Sequence, residues 1–327
     1  MNVEQLHKEL IVFDGLVVAE WSKDVFEDMH RGGITAANCT CSIWENFNDT
    51  MDNISQFKQM INGNKNIITQ VFCAEDIKRA KTEDKIGICL GWQNTSGIED
   101  KIEYLQLFKE LGVGIMQMTY NTQNYVGSGC YESRDGGLSD FGKEVVAEMN
   151  NLGILCDLSH VGPNTTHDVI KHSKKPVAYS HVLPVGINKH PRNKSDDQLK
   201  FIADNGGFVG VTMFPPFLKN GGATINDYIE AIEYVIDIVG EDHVGIGSDF
   251  TQGRDVAFFD FITHDKGYGR KLVDMGEINT HRLKGLETLG DYSNLTAALI
   301  QFGWSEQRIR KIMGENWVNL LKEVWGN

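Results

Sequence analysis

The chain is expected to fold as a (β/α)8 barrel. Eight short apolar runs recur along its 327 residues, and amphipathic helical stretches separate them. Gly112, Gly153, Gly206 and Gly240 each end a helical stretch just before a run begins, where a helix C-cap belongs. Eight strands, each followed by a helix, close into a barrel. A doubly wound open sheet is the alternative, but no dinucleotide-type glycine fingerprint supports it.

The apolar runs cover 10–18, 34–43, 86–92, 113–119, 154–159, 177–181, 208–214 and 244–249. Helices are expected at 101–111, 140–152, 164–172, 196–205 and 225–239, where apolar residues recur at helical spacing. Two intervals depart from a plain alternation. Residues 46–81 are long for one crossover and predict an extra helix over 51–64. Residues 251–294 are polar, carry glycines and follow the last run, so they are expected to cover the mouth or send a helix across it. The tail predicts one helix over 295–302 and a second, capped by Ser305, that continues past Gly314. No repeat or linker divides the chain, so 1–327 reads as a single domain.

Composition narrows the function. The net charge is −14. Such a surface repels phosphate backbones and anionic lipid heads, so neither nucleic acid nor membrane is an expected partner. The six cysteines are scattered, and Cys39-Thr40-Cys41 is too tight for a disulfide within one strand. They read as free thiols of a reducing compartment. No signal-peptide pattern marks the N-terminus and no apolar run reaches spanning length, so a cytoplasmic location is expected.

The residues with chemistry gather at the C-terminal tips of the predicted strands, where barrel enzymes keep their sites. Two runs end in Ser159-His160 and Ser180-His181. Two imidazoles on successive strand tips can share one metal, and neutral imidazole suits zinc. A third run ends in Gly247-Ser248-Asp249, placing a carboxylate at the same mouth as a candidate catalytic base. Arg192, in His190-Pro191-Arg192-Asn193, stands in the loop above and can clamp a substrate carboxylate with two parallel hydrogen bonds. The first and third runs offer no histidine at their ends. They supply Leu16, Val18 and the neutral Gln93, a weak zinc ligand, with Glu20 lying beyond the first strand. Trp21, Trp92, Tyr120 and Tyr125 lie near strand ends and could form a cation–π cage.

The chain resembles the membrane (renal) dipeptidase family, zinc dipeptidases on a (β/α)8 barrel related to the amidohydrolases. The likeness runs almost end to end and is densest over 138–160. The family's Ser-His, Pro-Arg-Asn, Asn-Gly-Gly, Gly-Ser-Asp and Gly-x-Asn signatures follow in order at Ser180-His181, Pro191-Arg192-Asn193, Asn205-Gly206-Gly207, Gly247-Ser248-Asp249 and Gly314-Glu315-Asn316. The resemblance implies that His160 and His181 bind one zinc ion. It implies that Arg192 binds the substrate carboxylate, that Asp249 handles the proton, and that family members pair as homodimers. The departures are equally specific. The family's first-strand His-x-Asp falls at Leu16 and Val18. Its bridging glutamate falls at Gln93, with Asn94 one residue on. Its substrate-contacting histidine falls at Tyr120, followed by Asn121. A reduced site follows as the expectation, with at most one zinc ion on His160 and His181 and Gln93 as a further candidate ligand, or no metal at all. Tyr120, Asn121 and Arg192 are the expected contacts to a dipeptide or another small carboxylate-bearing amide. The alternative is a metal-free homologue that binds or converts a small amine or zwitterion.

Overall fold

The structure is a computed structural model that describes residues 2–219, 222–273 and 282–326. Its strands are β1 (Phe13–Val17), β2 (Ala36–Ser42), β3 (Ile68–Gln70), β4 (Ile86–Trp92), β5 (Val113–Gln117), β6 (Leu155–Asp157), β7 (Ala178–Val182), β8 (Phe208–Val211) and β9 (Val244–Ile246). All but β3 are buried at every residue. That is the mark of a parallel sheet covered on both faces, and it explains why the sequence shows continuous runs rather than alternation.

The hydrogen-bonded order is β1-β2-β4-β5-β6-β7-β8-β9, all parallel. The ring closes just past β9. Val17 bridges Phe250, Val18 N donates to Phe250 O at 2.9 Å, and Asp249 N donates to Leu16 O at 3.0 Å. Eight strands thus form the expected barrel. The ninth, β3, was not expected. It pairs with Ile86–Ile88 of β4, on the part of β4 that β5 leaves free, because β5 bonds only from Leu90 onward. Only three residues long and half-buried, β3 leaves no apolar run to read.

The helix expected over 51–64 spans Phe47–Gly63, capped by Asn46. The helix that delivers β6 runs Asp140–Leu152, from the Ser139 cap to Gly153 in the left-handed conformation at φ 66°. Past Ser305 the tail forms Glu306–Arg310, one wide turn over Lys311–Glu315, and Asn316–Trp325. Its Trp317 plugs the barrel floor and donates to Ile246 O at 2.7 Å. A Cβ at Gly15 would lie 2.4 Å from the Trp317 ring and one at Gly245 2.7 Å, so the plug needs bare backbone there. All six cysteines are free. Among the described residues no helix is long and apolar enough to cross a membrane.

Candidate active site at the barrel mouth

Two buried carboxylates organise the strand tips. Asp157 of β6 accepts Ser159 N at 3.1 Å, Ser159 Oγ at 2.7 Å, Ser180 N at 2.9 Å and Ser180 Oγ. It therefore ties the end of β6 to β7 and fixes the residues next to both histidines. Asp14 of β1 does the same across the barrel seam. It accepts Leu16 N at 3.1 Å, Ser248 N at 2.8 Å, Ser248 Oγ, and the Tyr292 hydroxyl. Burial pushes both carboxyls upward from the usual range, and the four donors on each oppose that shift. A charge inside an apolar run is the sequence signal that could have found these two residues.

The staple at Asp157 determines what His181 presents. Ser180 gives its hydroxyl hydrogen to Asp157, so its Oγ can only accept from His181 Nδ1, 2.7 Å away. His160 Nδ1 meets the Asn121 carboxamide oxygen at 2.7 Å, again an acceptor. Both imidazoles are therefore Nδ1–H tautomers with bare Nε2 lone pairs, and these face each other at 3.0 Å. Burial, reinforced by Arg192 and Lys194, holds both histidines well below their ordinary pKa. A proton between them is disfavoured, and two opposed lone pairs call for an electron-pair acceptor. Two imidazoles on a tetrahedral zinc stand roughly 3.3 Å apart, so the pair fits one such ion with little opening. No third ligand completes the set, for no group of three or more His, Cys, Asp or Glu able to hold a metal exists among the described residues. Gln93 contributes at most an amide oxygen. Its Nε2 donates to Thr40 Oγ1 at 3.1 Å.

Around the pair lies a void of about 20 Å³, room for roughly one water. Gln93, Tyr120, Asn121, His160, Arg192 and Asp249 all line it, so six of the seven expected site residues meet there, and His181 reaches it through His160. Arg192 is 1% exposed rather than a solvated loop residue. Its Nη1 donates to Ser159 O and its Nη2 to His181 O at 3.1 Å, while Nε has no partner among the described residues. Its Nε–H and the other Nη hydrogens are left over for any further acceptor. Asp249 sits at φ 59°, an uncommon conformation for a residue with a side chain, and its carboxyl is pushed up to about 6 by burial, against the pull of Arg192. Asn121 shares that backbone conformation, at φ 59°. Its carboxamide orients His160, and Tyr120 stacks on the same imidazole at 4.1 Å.

The covering segment behaves as expected where it is described. The helix Val256–Thr263 brings Phe258 and Ile262 onto the void, and Val273 follows; residues 274–281 of the same interval lie outside the described residues. The aromatic cage does not form. Trp92 is buried against Phe108, Tyr120 stacks on His160, Trp21 packs between Phe26 and Phe57, and Tyr125 is 67% exposed. These rings serve separate packing sites instead of one point. Sequence reading also missed Tyr131, whose buried hydroxyl has no partner among the described residues and which lines the void.

The barrel has relatives among known proteins. An amidohydrolase of Pseudomonas aeruginosa, known from its crystal structure, is 57% identical over the whole of both chains with a TM-score of 0.98. A metallopeptidase of Rhodobacter sphaeroides, crystallised with a phosphinate mimic of the dipeptide L-Ala-D-Ala, superposes with a TM-score of 0.81 over 97% of this chain and 99% of its own, at 20% identity, which shows the shared fold. An uncharacterized dipeptidase of Schizosaccharomyces pombe is 34% identical over 84% of this chain, and a dipeptidase of Aspergillus oryzae 29% identical over 86%. The chain spans about 62% of the length of these two curated relatives. The match that decides the matter covers most of the barrel, including the tips that carry the two histidines, Arg192 and Asp249: residues 19–263 fit the membrane dipeptidase family, peptidase family M19, and the chain belongs to it.

Proposed function

We propose that the protein hydrolyses a dipeptide or a similar small carboxylate-bearing amide, with at most one zinc ion held by His160 and His181. The observation that supports this most is the pair of tautomer-locked Nε2 atoms 3.0 Å apart beside a water-sized void shared with Arg192 and Asp249. Zinc bound there would polarise the scissile carbonyl and lower the pKa of water. Asp249, with its carboxyl near 6, is ionised at neutral pH and accepts the proton of the attacking water. It then returns that proton to the leaving amine. Arg192 holds the substrate carboxylate with the N–H groups its backbone contacts leave over. Asn121 keeps His160 in the right tautomer, and Tyr120 holds the ring in place.

A second reading, a metal-free homologue that binds or converts a small zwitterion, draws on the first-strand side, where Leu16 and Val18 are buried and apolar. Metal content of the purified protein and turnover of a dipeptide library separate the two. About one zinc per chain with turnover supports hydrolysis, and neither metal nor turnover overturns it. The proposal includes a cytoplasmic location, which suits the six free thiols, and a homodimer, which sedimentation velocity tests.

A further inference from the structure

The void at the histidines is too small for any amide substrate, yet a larger space lies beside it. A cavity of about 420 Å³ opens between the ends of β1 and β2. Phe258 and Ile43 line both spaces, so the Phe258 ring is the partition between them. Trp21, Phe57 and Phe261 form the aromatic wall of the larger cavity, and Glu20, Glu45, Asp255 and Arg254 supply its charges.

Two of those charges pair directly. Arg254 pairs with Glu20 at 2.5 Å and lies over the Phe258 ring at 4.2 Å. Asp255 caps its own helix by accepting Phe258 N at 3.0 Å. Glu45 is different. One of its oxygens accepts Ile43 N at 2.5 Å, which fixes the carboxylate against its own turn. No Lys, Arg or His forms an ion pair with it among the described residues. Arg254, the one cation among the described residues lining the cavity, acts electrostatically on Glu45 and Asp255 as well as on Glu20, so three carboxylates share a single guanidinium. Glu45 is thus a preorganised carboxylate in an aromatic-walled cavity of net negative charge next to the reacting void. The tips of β1 and β4 offer no other anion, since Leu16, Val18 and Gln93 stand there.

Arg192 reaches the void from the loop after β7, together with Phe217, while Val18, Ile43 and Phe258 close the opposite side. A substrate with its carboxylate at Arg192 therefore points its amino-terminal residue toward β1 and β2. We infer that Glu45 binds the substrate's ammonium group, in the cavity that opens when the Phe258 ring turns aside. This orientation rests on the dipeptidase reading, whereas the ammonium site itself does not. An ammonium in such a place gains from the carboxylate and from the ring faces around it.

The test uses alaninamide, which carries the ammonium but no carboxylate, and L-alanyl-L-alanine. Calorimetric binding of alaninamide should weaken at least tenfold in Glu45→Gln, a change that keeps an acceptor for Ile43 N. Thermal unfolding of the variant checks that it folds as the parent does. Phe258→Ala should tighten binding severalfold by merging the two spaces. Undetectable alaninamide binding by the parent, or equal binding by parent and Glu45→Gln, overturns the inference. L-alanyl-L-alanine that stays intact while alaninamide binding depends on Glu45 overturns the peptidase reading and leaves the ammonium site standing. With hydrolysis, Glu45→Gln should raise KM at least tenfold for the free dipeptide and leave its N-acetyl derivative unchanged. An equal loss on both substrates would overturn ammonium recognition.

Discussion

Two staples of the same design hold the two sides of the mouth, and they end in different chemistry. At β6 and β7, Asp157 grips two serines and the next residues along are imidazoles. At β1 and β9, Asp14 grips Ser248 and the next residue is Asp249, but on its own strand it reaches only the Leu16 amide. The support is repeated around the barrel and the imidazoles are not. The scaffold on the β1 side does not depend on polar tips, because apolar Leu16 and Val18 are buried there and need no partner.

The comparison breaks most visibly if the staples are unequal. Asp157→Ala and Asp14→Ala each leave two buried N–H groups and two hydroxyls without their acceptor, and each should cost roughly 3–5 kcal/mol in urea unfolding. A large loss in one and a small loss in the other would refute their equivalence. Metal affinity should then divide the two sides. By competition with a chromophoric chelator, His160→Ala or His181→Ala should abolish zinc binding, and Asn121→Ala should weaken it about 10–100-fold by releasing the His160 tautomer. Leu16→Ala, at 1% exposure, should cost about 2–5 kcal/mol of stability and leave zinc affinity where it was.

Asp249 gives the next test. As a base it must be ionised, so kcat/KM for L-alanyl-L-alanine should climb as pH rises through about 6. Asp249→Asn should lower kcat by roughly 100-fold or more. The same carboxyl also acts on stability. A carboxyl raised to about 6 in the fold favours the folded state fully below the unfolded value, and loses that contribution as pH rises through 6. Asp249→Asn should therefore be more stable than the parent at pH 7, by about 3 kcal/mol. The gain should vanish near pH 4. A gain that grew toward acid would show that Asp249 is held ionised instead.

The barrel was legible because covered parallel strands write themselves as apolar runs, and the helix caps Gly153 and Ser305 sit where a side chain or the lack of one requires. β3 was not legible because half of it faces out. The site was legible as residues at strand tips but not as geometry. Nothing in the spacing of Asn121 and His160 shows that one orients the other. Nor does the sequence show that Arg192 gives two of its N–H groups to backbone. Glu45 reads as an ordinary loop acid until its place in a cavity of net negative charge beside the void is seen.

The seam between β1 and Phe250 has a consequence for how the chain matures. β6 and β7 follow one another closely, so Asp157, His160 and His181 can meet once about 180 residues exist. β1 must wait for Ser248 and Phe250, some 230 residues later, for Tyr292 behind them, and for Trp317 to fill the floor. During synthesis the imidazole pair can therefore assemble early, while the first strand keeps an open edge until Ser248 and Phe250 have emerged. Such an edge invites pairing with other chains. Slowed or truncated translation should yield aggregates nucleated at β1, with the histidine pair already formed inside them.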